Sequence, residues 1–164
     1  MTLLQICEWL ETTRIGEFVT QSTYGFAIVV AIHLLGLGLS VGTVIWFDLR
    51  LLGKVLTAAP VSEVYRRLAP VMVTGFVMMF GSGVVIFIAY ATAAYNNPYF
   101  RVKLLMIALA GVNAMLFHTF TQKHLAGWDT WSHPPAAARA AGAISIFSWV
   151  VVVLAGRMMS YTMF

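Results

Sequence analysis

Four long apolar stretches, separated by short polar segments, dominate the pattern of this 164-residue chain. The first, at about 22–47, includes GFAIVVAIHLLGLGLSVGTVIWF and has no formal charge between Gly25 and Phe47. At ~1.5 Å per residue it can cross a ~30 Å hydrocarbon core, so the pattern predicts a membrane span. Further spans are predicted at about 70–90, 99–121 and 137–161. Ahead of them, within residues 3–19, Leu3, Ile6, Cys7, Leu10 and Phe18 recur at helical spacing. Trp9 stands beside that stripe and the acidic residues fall mostly opposite, which predicts a short interfacial amphipathic helix. The expected fold class is all-α: an integral membrane, up-down-up-down four-helix bundle forming a single transmembrane domain over 1–164, in which any cofactor sits between facing helices.

The breaks between the stretches sharpen this picture. TAAPVSEVYRR reads as a linker, with span 2 starting near Pro70. Gly75, Gly81, Ser82 and Gly83 then run along span 2, and such small residues allow close helix approach. AYNNPYF reads as a turn, and Asn97-Pro98 as a helix start, because proline at the first position gives up no needed hydrogen bond. KHLAGWDTWSHPP is a loop rich in turn formers and aromatics. Four spans put both termini on one side. Arg50, Lys54, Arg66, Arg67, Lys123 and Arg139 flank the other side, against Arg14, Arg101, Lys103 and Arg157. That excess predicts a cytoplasmic loop side, with both termini periplasmic, in a bacterial inner membrane.

Composition narrows the function classes. Charged residues make up 10% of the chain, well below the roughly one quarter of soluble domains. The net charge of +4 comes without a basic cluster interleaved with aromatics, so nucleic-acid binding is excluded. The single cysteine, Cys7, rules out an intrachain disulfide and a thiolate cluster. The segment before span 1 carries Glu8, Glu11 and Glu17 where a signal peptide would be apolar, so span 1 is expected to serve as an uncleaved insertion signal. A nucleophile elbow, a phosphate-binding glycine loop and an HExxH pair are all missing. A membrane subunit is therefore expected rather than a free-standing enzyme.

His33 and His118 are the two intramembrane histidines, and an imidazole there needs a proton partner, a metal or a cavity. Val29, Gly36 and Ser40 share the face of His33; Ala114 and Gly111 share that of His118. Small neighbours suit a flat porphyrin, and His is an axial ligand of haem iron. A satisfied core histidine that only hydrogen-bonds a neighbouring helix is the plainer alternative. Depth argues against one shared iron. His33 lies fifteen residues before Asp48, ~22 Å along the axis, whereas His118 lies five before Lys123, ~8 Å. Arg157 needs an anion, with Lys103 and Arg101 entering from the same side. Asp48 and Arg50 point apart at i, i+2 and are each expected to bind another helix or loop. Asn113 is expected to hydrogen-bond between helices. His124, His133 and Asp129 are irregularly spaced for a metal, and the pairs Met78-Met79 and Met158-Met159 read as packing.

With these residues collected, the chain resembles a family of short four-span bacterial inner-membrane proteins of unassigned function. The resemblance rests on His33-Leu34-Leu35-Gly36, on DLRLLG from Asp48 to Gly53, and on NPYFRVK at 97–103. Asn113 with Phe117-His118, and Ala155-Gly156-Arg157 with Tyr161, complete it. More distantly the layout is similar to four-helix b-type cytochromes and to copper-resistance D membrane proteins, although it has too few intramembrane histidines for two bis-histidine haems. The leading expectation is a b-type haem electron-transfer subunit linking the quinone pool to a periplasmic-side redox partner. In it, His33 and His118 are the haem or metal ligands, Arg157 and Lys103 the propionate partners, and Gly36 and Gly111 the flat flanking surface. The alternatives are a copper-handling permease or accessory, since imidazole and thioether suit copper, and a cofactor-free structural subunit. Lipid contact, and a homo-oligomer or larger membrane complex, are expected in each case.

Overall fold

The computed structural model describes residues 2–163. Four helices long and apolar enough to cross a membrane make up most of it: α3 (Gly25–Leu51), α4 (Val61–Ala89), α6 (Pro98–Leu116) and α7 (Ala136–Met163). Their outward side chains, among them Leu34, Leu35, Val73, Val77, Leu105, Phe147 and Leu154, are exposed and apolar. Such a surface contacts lipid, and helices satisfy their backbone polar groups internally. The chain is a multi-pass membrane protein of the all-α class, with no strand among the described residues.

The single amphipathic helix expected over 3–19 is two: α1 (Leu3–Glu11) and α2 (Arg14–Gln21). Thr12 and Thr13 split it. Their hydroxyls bond back to the carbonyls of Trp9 and Leu10, and Thr13 accepts from the Gly16 amide as the cap of α2, a competition with the helix ladder that these residues favour. α1 and α2 pack across the terminal end of the bundle, against α4 and the short α5 (Ala91–Asn96). There the Glu11 carboxylate accepts from the Thr92 amide at 2.7 Å. Of residues 94–100, expected as a turn, 94–96 belong instead to α5, because Tyr90 breaks the ladder and a new helix starts at once.

α4 begins at Val61, well before the expected Pro70, which lies inside the helix. Asp129 explains the early start. Its backbone carbonyl accepts from the Val61 amide, and its carboxylate accepts from the Ser62 amide at 2.8 Å and hydroxyl at 2.6 Å. A carboxylate on the first free amides of a helix is a stabilising cap, here supplied from a distant loop. α6 starts as expected, with Asn97 accepting from the Tyr99 amide at 2.9 Å and Pro98 in the first position.

α3 packs along α4, α6 along α7, and α3 against α7; the backbones of α4 and α6 stay apart. The α3–α4 seam is close because Gly36 and Gly75 face each other's backbone. A Cβ on Gly75 would lie 2.4 Å from the Ser40 nitrogen, and one on Gly36 would lie 2.6 Å from the Met79 nitrogen. With Ser40 this is a small-xxx-small contact. At the loop end, Arg50 is fully buried and holds two loops together, its guanidinium donating to the carbonyls of Ala59 and Trp131. The expected separation of Asp48 and Arg50 holds.

Candidate functional site

The two intramembrane histidines do not line a common cavity. His33, half-buried on α3, faces a small space of about 60 Å³ toward the terminal end, lined also by Gly83, Tyr90, Phe100, Lys103 and Met159. His118 borders a larger cavity of about 350 Å³ toward the loop end. His33 and His118 therefore face separate spaces, toward opposite ends of the bundle, as their different depths along the sequence imply.

At His33 the ring orientation follows from its partners. Nδ1 lies 2.9 Å from the Met79 carbonyl oxygen and 3.1 Å from the Ser82 hydroxyl. A carbonyl only accepts, so Nδ1 carries the proton and donates, which leaves the Nε2 lone pair uncommitted. Gly83 gives the ring its room, since a Cβ there would lie 3.2 Å from Cε1. Lys103 reaches the same space from α6 and, among the described residues, makes no ion pair. Tyr90, beyond the end of α4, is half-buried, and burial pushes its phenol up from the ordinary value.

The larger cavity lies among α3, α4, α6 and α7. Phe47, Tyr65, Phe76, Phe80, Phe117 and Trp149 supply aromatic walls; Asp48, Asn113, Ser145 and His118 supply the polar groups. Because the backbones of α4 and α6 stay apart, and because Phe80, Gly111 and Ala114 on its wall are exposed, the cavity opens sideways between those helices. Aromatic pairs bound this cleft. Phe87 of α4 stacks on Phe100 of α6 at 5.5 Å toward the terminal end. Tyr65 meets His118 edge-on at 5.8 Å toward the loop end.

His118 itself sits in a π-helical turn, Phe117–Thr121, that interrupts the end of the third span. Turns of this kind are rare and concentrate at functional sites. Asp48 is 4% exposed, and among the described residues its Oδ2 has no hydrogen-bond partner. The Ser145 hydroxyl lies beside the carboxyl. Asn113 donates to the Ala141 carbonyl at 2.9 Å, the interhelical bond expected of it, and so ties α6 to α7. Gly142 allows α7 to approach this corner, as a Cβ there would meet the Asp48 carbonyl oxygen at 2.9 Å.

Of the sequence-predicted residues, Gly111 joins His118 on the large cavity, with open space where a Cβ would be. Lys103 joins His33. Gly36 lines neither space, since the backbone of α4 occupies its face. Arg157 is exposed, its guanidinium 5.0 Å from the Tyr161 ring centroid, and it does not line the space beside His33. No group of three or more metal-ligating His, Cys, Asp or Glu side chains occurs among the described residues. Sequence reasoning missed Asp48 as a cavity residue, along with Tyr65, Ser145 and Trp149. An acid ending an apolar span, and Ser145 and Trp149 four apart on one helix face, were the available signals.

No curated protein and no solved structure matches this chain. A family model does, over residues 6–162, and its description is a family of unknown function, DUF6644. Since that match takes in nearly the whole sequence, the chain belongs to the DUF6644 family.

Proposed function

We propose that this protein is a membrane electron-transfer subunit that takes a quinone-class molecule from the bilayer into the cavity between α3, α4, α6 and α7. One observation carries the reading: a cavity of about 350 Å³ with mostly aromatic and aliphatic walls opens laterally between α4 and α6, with its polar groups at one end. That volume falls within the ~300–1,000 Å³ of small-molecule pockets, where a few polar groups fix the orientation of an apolar ligand. A quinone is a flat ring with hydrogen-bonding oxygens and a long apolar tail. Phe76, Phe80 and Trp149 offer ring faces for stacking, Asp48 and His118 offer hydrogen bonds, and the cleft leaves the tail in lipid. The bias of Lys and Arg assigns the loop end to the cytoplasm and the terminal end, where a redox partner would dock, to the periplasm.

A b-type haem on His33 is the second reading, favoured by the locked tautomer. Ligating histidines commonly donate their other ring N–H to a carbonyl, as His33 does to Met79. A space of about 60 Å³ does not admit a porphyrin within this chain alone, so the ring would have to lie between His33 and another subunit, with Lys103 available to a propionate. Copper at His33 and Met159 is disfavoured by the same Lys103 ammonium, which repels a cation.

The test is tryptophan fluorescence of the purified protein titrated with a short-chain quinone. Saturable quenching is expected, reduced in Trp149→Phe and abolished in Gly111→Leu, whose side chain enters the cavity. Quenching that is linear and identical in Gly111→Leu overturns the proposal. A reduced-minus-oxidised absorption spectrum on the same sample decides the second reading. A b-type α band lost in His33→Ala supports it, and no band in haem-replete protein removes it.

A further inference from the structure

The cavity contains a buried acid that the fold leaves short of a partner. Asp48 stands on the cavity wall at 4% exposure, and among the described residues its Oδ2 has no hydrogen-bond partner. Arg50, two positions along α3, does not neutralise it: its Nε and Nη2 donate to the Ala59 and Trp131 carbonyls, and among the described residues its Nη1 has no partner, Asp48 included. Among the described residues no cation forms an ion pair with Asp48. From α7 the Ser145 hydroxyl reaches the carboxyl. From α6 the polar wall group is Asn113, which spends an amide N–H on the Ala141 carbonyl. A buried carboxyl oxygen without a partner is costly, and the adjoining cavity is the space in which a partner can stand.

The chemistry of a carboxyl group decides what kind of partner fits. A carboxyl accepts a hydrogen bond in either protonation state but donates only when protonated. An O–H donor therefore satisfies Asp48 in both states, and a carbonyl acceptor in only one. An oxidised quinone ring presents carbonyl oxygens alone. Its reduced form presents two phenolic O–H groups.

Resting on the quinone-class reading above, we propose that the cavity selects the reduced, dihydroxy form, with one ring hydroxyl donating to Oδ2 of Asp48. The ring then lies among Phe76, Phe80 and Trp149, and the tail leaves between α4 and α6.

The experiment compares oxidised and reduced decyl-substituted benzoquinone, the latter under anaerobic reducing conditions, on the full chain in lipid nanodiscs. Wild-type protein is expected to bind the reduced form about tenfold more tightly, the difference one well-placed hydrogen bond supplies. Asp48→Asn, whose amide can donate to a carbonyl, is expected to lose that preference and keep its affinity for the oxidised form. Equal affinities in wild type, or an unchanged preference in Asp48→Asn, overturns the selectivity. Saturable binding of neither form refutes the quinone-class reading itself, a distinct result. Infrared difference spectra of the wild type are independent of how the variant folds. The reduced ligand is expected to shift a carboxyl band and the oxidised ligand to leave it in place; a band unmoved by the reduced ligand overturns the proposal.

Discussion

Substituting Gly75 by alanine strains the seam on which both cavities depend. The new Cβ would lie 2.4 Å from the Ser40 nitrogen, 2.8 Å from the Leu39 Cβ and 2.9 Å from the Gly36 oxygen, where ordinary contact begins at 3.4 Å. Two of these three are backbone atoms of α3, so no side-chain rotation relieves the clash, and the helices must part by about 1 Å. Overpacking of this kind costs about 1–3 kcal/mol. The His33–Met79 hydrogen bond crosses the same seam at 2.9 Å; lengthened by about 1 Å it leaves bonding range, adding about 0.6–1.7 kcal/mol in a membrane. We therefore expect Gly75→Ala to lose about 2–5 kcal/mol, the two terms together, measured by reversible unfolding in mixed micelles with increasing SDS. Gly81→Ala is the control, because its Cβ would meet nothing within 4 Å, and it should stay within about 0.5 kcal/mol of wild type. A Gly75→Ala protein as stable as Gly81→Ala refutes the close crossing.

Three further outcomes follow from the same geometry. Gly142→Ala drives a methyl toward the Asp48 carbonyl oxygen and should cost about 1–3 kcal/mol in the same unfolding assay. Asp129→Ala removes the acceptor for the Ser62 side chain and amide; a lost cap costs about 0.5–2 kcal/mol, and faster exchange at the first amides of α4 should report it. Arg50→Met frees the Ala59 and Trp131 carbonyls, each bond to a charged group being worth about 1.5–3 kcal/mol. Limited proteolysis should then cut residues 52–60 and 128–135 sooner, and an unchanged cleavage rate would contradict the clamp.

The spans were legible because their signal is local: an uncharged run long enough for a bilayer needs no knowledge of its neighbours. The start of α4 was not, because its cap, Asp129, comes from a loop far along the chain, and Pro70 looked like a natural helix start. The division of α1 from α2 was written in Thr12-Thr13 but masked by the apolar stripe continuing to Phe18. At the site, helical spacing put His118 and Gly111 on one face, and they line one cavity. It also put Gly36 beside His33, but the same small size serves helix contact there, and sequence cannot tell a glycine that admits a ligand from one that admits a backbone. The cavity itself arises from an absence, the gap between α4 and α6. No single helix encodes that gap. It depends on α3 and α7 being the pair that meets.

The most direct test of the account is where a bound ring sits. A short-chain azidoquinone, photolysed on the protein in nanodiscs and mapped by mass spectrometry, should label α4 around Met72–Phe80 and the third span around Ile107–His118, with unlabelled quinone protecting both. Labelling confined to other helices, or spread over the lipid-facing surface without protection, would contradict the cavity as the binding site.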